Sequence, residues 1–382
     1  MKILVFSPYY PPHIGGLETH SEEFNKYLSE KGADIVVFTP RLPAEAPSTE
    51  EKDGVTILRF PAFDIVQNYP LPKLLTLEFW QVFRSLFKDD FDIVISRTRF
   101  FPSSFLALVY AKWKHAPFIH IEHGSDFVRL SSPFKTAVAK IYDYTLGMLV
   151  FRFADINISI SSAVRKFVGR FDHRKSPVIY RGLDFESIDV VPENASIREK
   201  YPGKVIIATA ARLYKWKGIE NTIEAIRSLP EDLKSKIVFL IIGDGEDFDR
   251  LKKLSQGLPI EMIGKLDRTD VIGILKASDI YIHSSLPGGG LSTSLLEAMY
   301  CQCAIIATPN EGADEIIENE KNGIIIFEPY SENIGNAIEQ LSADEIGEKR
   351  FAEQASSDIR RRFNWENSIM QYSEIFEKIS ER

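Results

Sequence analysis

Cysteine is almost absent, with two in 382 residues. Cys301 and Cys303 stand one residue apart, too close for an unstrained mutual disulfide, and no further cysteine completes a zinc quartet. They read as two small buried residues at a helix-to-strand turn. No run of about eighteen uncharged apolar residues exists, so no membrane-crossing helix is expected. The N-terminus, MKILVFSPYYPP, lacks the long apolar segment and small-residue cleavage site of a signal peptide. The expected location is the cytoplasm or the cytoplasmic face of a membrane, and ENAS at Asn194 is then a chance match to a glycosylation acceptor. Positive charge is not in excess either: the formal net charge is −8, which argues against a general nucleic-acid partner. No aspartate cluster marks a metal site, and none is expected.

What the chain does have is enough length for two ordinary domains, each with its own core. Hydrophobic residues at 44% against charged residues at 26% describe a globular protein, not a disordered one. Its first half alternates short β-branched runs with helical stretches. ILVFS from Ile3, DIVVFT from Asp34, DIVIS from Asp92, FIHIE from Phe118 and DINIS from Asp155 read as buried parallel strands. Between the first two, LETHSEEFNKYLSEKG sets Leu17, Phe24, Tyr27 and Leu28 on one helical face and stops at Gly32. This is the pattern of βαβ units.

A polar stretch, DFESIDVVPENASIREKYPGK, interrupts the pattern near residues 184–203 before it begins again. VIIATA, IVFLIIG, IEMIG, DIYIHS, AIIAT and GIIIF are the strands of the second half, separated by helices such as RTDVIGILKAS and STSLLEAMY. The expected architecture is α/β, with doubly wound parallel-sheet domains at 1–184 and 185–363. A last amphipathic helix, 364–382, carries Ile369, Tyr372, Ile375, Phe376 and Ile379 along one stripe. It is expected to pack back on the N-terminal domain.

In an open parallel sheet, ligands bind beyond the carboxyl ends of the strands, where helix N-termini present free N–H groups. Three segments qualify. SPYYPPHIGGLE follows the first strand, and Gly15 and Gly16 allow close backbone approach before a helix; the spacing fits neither the dinucleotide fingerprint nor a P-loop. A plain structural turn is the alternative. ATAARLYKWKGIE carries Arg212, Lys215 and Lys217 from a strand toward a helix, a cation set suited to a diphosphate, with Lys215 on the solvated side. A solvated charge cluster is its alternative. SSLPGGGLSTSLLEAM places a glycine run, then Leu291, Ser292 and Thr293, ahead of a helix whose Glu297 is able to accept hydrogen bonds from a diol such as a ribose. The cation loop and the glycine loop on one sheet make a nucleotide pocket.

Taken in order, these segments resemble the retaining, GT-B fold glycosyltransferases that use nucleotide-diphosphate sugars, the group 1 family of sucrose-phosphate synthases and mannosyltransferases. The resemblance spans nearly the whole chain. It rests on SPYYPPHIGGLETHSEEFNKYLSEKGADIVVFT, EHGSDF, FADINISISSAVRKFV and VIYRGLDF, then AARLYKWKGIE, LIIGDGED, IGKL, ASDIYIHSS and LLEAM. In VIYRGLDF, Arg181 stands where asparagine is commoner in the family.

The resemblance implies two Rossmann-like domains facing across a cleft and a retaining, hexosyltransferase-type reaction with no metal or other cofactor. The donor is a nucleotide-diphosphate sugar with UDP or GDP. The acceptor carries a hydroxyl on a glycan, glycolipid or lipid-linked saccharide. Arg212 and Lys217 match the diphosphate-binding pair, Gly15 and Gly16 the loop facing diphosphate and sugar, and His123 a histidine that contacts the donor sugar. Glu297 matches the ribose-binding glutamate, and the backbone at Lys265 and Leu266 matches a segment that reads the base. The family's first glutamate is replaced by Gly289, which leaves only main-chain groups of Gly289, Gly290, Leu291 and Ser292 toward the donor. A nucleotide-sugar epimerase of this architecture and a catalytically silent nucleotide-sugar-binding protein are the rival expectations. LPKLLTLEFWQVFRSLFK and RTRFFPSSFLALVYAKWKH mix aromatics with cations, as helices resting on an anionic membrane do; core-facing helices with solvated cations are the alternative.

Overall fold

The computed structural model describes residues 1–13, 15–66, 69–127, 133–174, 176–287, 291–310, 312–328 and 330–380. Two compact units emerge: Met1–Gly182 with Trp365–Arg382, and Leu183–Asn364.

Among the described residues of the first unit, the strands are β1 (Lys2–Phe6), β2 (Asp34–Pro40), β3 (Thr49–Lys52), β4 (Val55–Phe60), β5 (Ala62–Val66), β6 (Tyr69–Pro72), β7 (Ile93–Arg97), β8 (Phe118–Glu122) and β9 (Ile156–Ser159). One sheet runs in the order β3-β4-β2-β1-β7-β8-β9, parallel except where β3 meets β4 antiparallel, and β5 pairs with β6 as a separate antiparallel hairpin. The five strands read from the sequence are present; β3, β4 and the hairpin were not read. β4, VTILRF, alternates buried and half-buried positions instead of running continuously apolar, because its neighbour is the antiparallel edge strand.

The helix Gly16–Glu30 buries Phe24 and Leu28 of its apolar face, with Leu17 and Tyr27 half-buried, and buries Glu18, His20, Ser21, Glu23 and Asn25 as well. One expectation needs correction: Arg97 and Arg99 of the RTRFF segment are not solvated cations, for both are almost wholly buried. The Arg97 guanidinium lies over the Phe24 ring and that of Arg99 over the Phe167 ring. Phe6, Phe38, Phe60, Phe79 and Tyr110 form one cluster on the sheet, to which the helix Pro102–Lys114 adds Ala107, Leu108 and Ala111. The C-terminal helix, Trp365–Ser380, packs on helix Gly16–Glu30 through Trp365, Ile369, Tyr372 and Phe376, with the Tyr372 ring edge-on to Phe24 at 4.8 Å.

In the second unit the strands are β10 (Val205–Ala210), β11 (Ile237–Ile242), β12 (Ile260–Gly264), β13 (Ile280–His283), β14 (Ala304–Ala307) and β15 (Ile324–Ile325), the last much shorter than GIIIF suggests. Their order is β12-β11-β10-β13-β14-β15, all parallel. Near-continuous Ile, Val and Phe runs are what a strand covered on both faces requires, and β11 is buried at every position. The polar stretch after residue 184 is folded into this unit and is not a free linker. Ile188 and Ile197 are buried, Lys276 Nζ donates to the Ile188 carbonyl at 2.7 Å, and Phe185 stacks on Tyr300 at 4.6 Å.

Candidate active site

The strand order decides where the chemistry-bearing loops meet. In the second unit the chain lays β11 and β12 to one side of β10 and then returns to start β13 on the other side, so β10 and β13 flank a switch point. Loops leaving adjacent strands there diverge to opposite faces and open a crevice for a ligand. The loop after β10 carries Arg212 and Lys217, and the loop after β13 leads to Ser292 and Glu297.

These two loops are bonded together. Ser284 Oγ donates to the Lys217 carbonyl at 3.0 Å, and the Leu286 N–H donates to the Trp216 carbonyl at 2.7 Å. Gly218, with φ of 64°, packs so closely that a Cβ there would stand 2.1 Å from the Ser284 carbonyl oxygen. The other side of the cation loop is held by the loop after β11. Leu213 N–H donates to the Asp244 carbonyl at 2.9 Å, and Asp247 N–H donates to the Leu213 carbonyl at 3.0 Å. Arg212 and Lys217 are half-buried, and Lys217 Nζ lies 4.3 Å from the centroid of the Trp216 ring; Lys215 is exposed. Two cations are thus carried on a backbone fixed from both sides.

The helix after β13, Thr293–Tyr300, starts at Ser292, whose side chain makes no capping bond, and its first turn holds no acid to offset the positive end of the helix dipole. Ser294 is pinned by Tyr281, whose hydroxyl donates to Ser294 Oγ at 2.9 Å, and Leu291 is buried. Gly289 and Gly290 lie outside the described residues. Asn310 Nδ2 donates to the Ser285 carbonyl at 2.9 Å, so a third loop braces the same turn.

Glu297 is buried, and its Oε1 accepts from Arg268 Nε at 2.8 Å. Arg268 was not singled out from the sequence. Its signal there was its position right after IGKLD, at the first turn of the helix Arg268–Lys276. Lys265 is exposed and Leu266 half-buried at the end of β12, two strands from β10.

The first unit repeats the geometry, with a switch point between β1 and β7. Gly15 caps the helix Gly16–Glu30 in extended conformation. The first turn of that helix already contains a carboxylate, Glu18, whose Oε1 lies 2.5 Å from His13 Nδ1. The N-terminus is therefore partly answered by a carboxylate of its own first turn, which the helix at Ser292 does not have.

His123 follows β8, and its ring stands edge-on to His20 at 4.8 Å, which joins the glycine-loop helix to the β8 loop. Behind His20 lies Arg97: its Nη1 donates to His20 Nδ1 at 2.9 Å, and its guanidinium covers the Phe24 ring at 4.4 Å. Arg97 Nε and Nη2 have no hydrogen-bond partner among the described residues. Burial lowers the Arg97 pKa to about 10. Burial first, and the Arg97 charge second, push His123 down to about 3, so its imidazole is neutral at physiological pH.

Glu122, one residue before His123, is fully buried and organises this corner. Its Oε1 accepts from the N–H groups of His123 at 3.0 Å and Gly124 at 2.7 Å, and it pairs with Arg99 at 3.1 Å and His120 at 3.1 Å. Burial works to raise its pKa, but Arg99, His120 and the Gly124 N–H outweigh it and hold the carboxyl well below the ordinary range. Arg181 extends the network, with Nη2 3.0 Å from Glu23 Oε2, which also accepts from Trp365 Nε1 at 2.9 Å. These contacts were not legible in the sequence, since His20 and Glu23 on one helix, Arg97, and His123 are separated by long stretches of chain.

Residues 190–358 match the Glycosyl transferases group 1 family, and residues 14–187 match Glycosyltransferase Family 4. An uncharacterized glycosyltransferase of Methanocaldococcus jannaschii is 45% identical over 99% of both chains. The chain belongs to the group 1 glycosyltransferases. This glycosyltransferase is also similar, at 22% identity over 98% of its length and 80% of the relative's, to the gpi3 subunit of a phosphatidylinositol N-acetylglucosaminyltransferase of Schizosaccharomyces pombe. The crystal structure of Anabaena HepE in complex with UDP-glucose superposes with a TM-score of 0.77 at 19% identity, covering 99% of this chain and 100% of that one. The fold of the group 1 glycosyltransferase is therefore GT-B, with a Rossmann-like parallel sheet in each unit.

Proposed function

We propose that this glycosyltransferase moves a hexose from a nucleotide-diphosphate sugar, with UDP or GDP as carrier, to a hydroxyl acceptor with retention of anomeric configuration. The observation that carries the donor half is the bonded pair of loops at the β10/β13 switch point, joined from Ser284 Oγ to the Lys217 carbonyl at 3.0 Å. Arg212 and Lys217 hold the diphosphate, and the helix N-terminus at Ser292 adds N–H donors. As the glycosidic bond breaks, these groups stabilise the negative charge growing on the leaving diphosphate. That is the work a divalent cation does elsewhere, and the reading needs no metal and no resident cofactor.

Glu297, oriented by Arg268, takes the ribose, and the backbone at Lys265 and Leu266 takes the base. In the first unit, neutral His123 contacts the donor sugar, with Gly15 and Gly16 beside it. The acceptor hydroxyl attacks from the leaving-group face, and a donor phosphate oxygen takes its proton. The acceptor is a glycan, a glycolipid or a lipid-linked saccharide, reached from the cytoplasmic side by an enzyme resting on the membrane.

A thermal-shift screen across UDP-, GDP- and ADP-sugars identifies the donor before any acceptor is known. With that donor, Arg212→Ala and Lys217→Ala are each expected to lower turnover about a hundredfold, in line with the loss of one charge-stabilising group, while the fold stays intact. Unchanged rates in both variants overturn the assignment.

A further inference from the structure

Both segments that the sequence pointed to expose apolar side chains, Leu75 and Leu77 in one and Trp113 in the other, but a further apolar stripe lies outside them. Helix Pro133–Tyr142, a π-turn Asp143–Gly147 and helix Met148–Phe153 form one continuous helical run on the first unit. One side of this run packs inward with Ala139, Asp143, Val150 and Phe151. Its other side carries Phe134 at 76% exposure, Ile141 at 64%, Val138 at 51% and Tyr144 at 49%, continuing to Met148. Spacings of three and four residues keep these side chains on one helical face. From Phe134 to Met148 the stripe is roughly 20 Å long at the rise of an α-helix.

Charge decides what this face fits. The run carries Lys135, Lys140 and Arg152 against a single acid, Asp143, in a chain whose acids outnumber its cations. Lys140 and Arg152 are exposed, whereas Asp143 is buried and paired with Arg99 at 3.1 Å. The nearest facing element adds aromatic surface: Phe127 stands 5.2 Å from Tyr144, with Lys140 Nζ 5.2 Å above it. An apolar stripe flanked by cations, with its one acid turned inward, matches a layer of anionic headgroups over acyl chains. A second copy of the chain fits worse, since two such helical runs bring cations together with no exposed acid of their own to answer them.

We infer that the face Phe134–Met148 seats the first unit on an anionic lipid surface. This deepens the proposed function by naming the surface on which the enzyme rests, and its test involves no sugar transfer, so the two stand or fall separately. Full-length protein is floated with vesicles of phosphatidylcholine, with and without phosphatidylglycerol, at low and high salt. Flotation with the anionic vesicles is expected to exceed that with neutral ones about tenfold and to fall with salt.

The double variant Val138→Asp/Ile141→Asp is expected to lose about tenfold in flotation. Lys140→Glu/Arg152→Glu reverses charge without touching the stripe and is expected to fall similarly, which keeps the test sound if the aspartates disturb folding. Leu75→Asp/Leu77→Asp, on an exposed apolar patch elsewhere in the unit, is the control that retains flotation. The inference is overturned if the wild-type chain does not float, if the Val138/Ile141 and Lys140/Arg152 variants float undiminished, or if the Leu75/Leu77 variant alone loses binding. A concentration-dependent dimer abolished by Ile141→Asp also overturns it, by making a second copy the occupant.

Discussion

Replacing Gly218 by alanine tests whether the cation loop and the glycine loop act as one unit. Two costs add at this position. The left-handed conformation, φ of 64°, is unfavourable for any residue with a Cβ by about 1–2 kcal/mol. The added Cβ also falls 2.1 Å from the Ser284 carbonyl oxygen, about 1.3 Å short of the 3.4 Å at which ordinary contact begins, and the obstacle is backbone. To make room, the strand-end turn at Ser284 must move away from residues 216–218. The two hydrogen bonds that join them, Ser284 Oγ to Lys217 and Leu286 N–H to Trp216, are then stretched or lost at about 1 kcal/mol each.

The sum is about 3–4 kcal/mol, or roughly 10 °C in the melting transition of a unit this size. Catalysis suffers more, because a displacement of about 1 Å in a positioning loop costs on the order of a hundredfold in kcat/KM. Gly257→Ala is the matched comparison: its φ of 76° is equally left-handed, but nothing lies within 4 Å of the new Cβ. It should cost about 1 kcal/mol and leave kinetics unchanged. Calorimetry and steady-state donor hydrolysis on both proteins provide the measurement. If Gly218→Ala behaves like Gly257→Ala in both assays, the coupling of the loops at the switch point is refuted.

Removing Arg268 leaves the buried Glu297 carboxylate without its 2.8 Å partner; because Arg268 is about one-third exposed, the stability loss in Arg268→Ala should be only about 1 kcal/mol. Donor KM should rise several-fold with little change in kcat, as read by donor titration, since the lost interaction positions a ribose contact equally in ground and transition states. The second prediction concerns pH. His123 is held neutral in the fold, down to about 3, but protonates near 6.5 when unfolded, so the unfolded chain binds the extra proton and stability falls as pH drops below 6.5. Asp143 acts in the opposite direction: burial raises its carboxyl to about 6, so the fold binds that proton more tightly, and this contribution is lost as pH rises through 6. Comparing denaturant unfolding of the wild type and His123→Gln at pH 7 and pH 5 cancels the Asp143 part. The wild type should lose about 2 kcal/mol more than the variant over that interval.

The sequence by itself determined the grammar of this protein. Continuous Ile, Val and Phe runs fix buried parallel strands, because a strand covered on both faces has no solvent side to encode. The glycines and cations placed directly after those strands then mark candidate ligand loops, since parallel strands deliver every such loop to the same edge. Arg212, Lys217, Ser292 and Glu297, the residues of the proposed donor site, stand in such local motifs.

Only the tertiary structure decided who stands behind them. Arg268 on Glu297, Arg97 on His20 beside His123, and Glu23 under Arg181 are contacts between residues distant in sequence, and a single chain carries no periodic signal for them. The same holds for the helix Gly16–Glu30, where His20 faces inward on Arg97 and Glu23 on Arg181 and Trp365, and for the exposed stripe from Phe134 to Met148. Hydrophobicity along the chain records that those side chains are apolar. Which of them face the core is set by what the rest of the fold leaves uncovered.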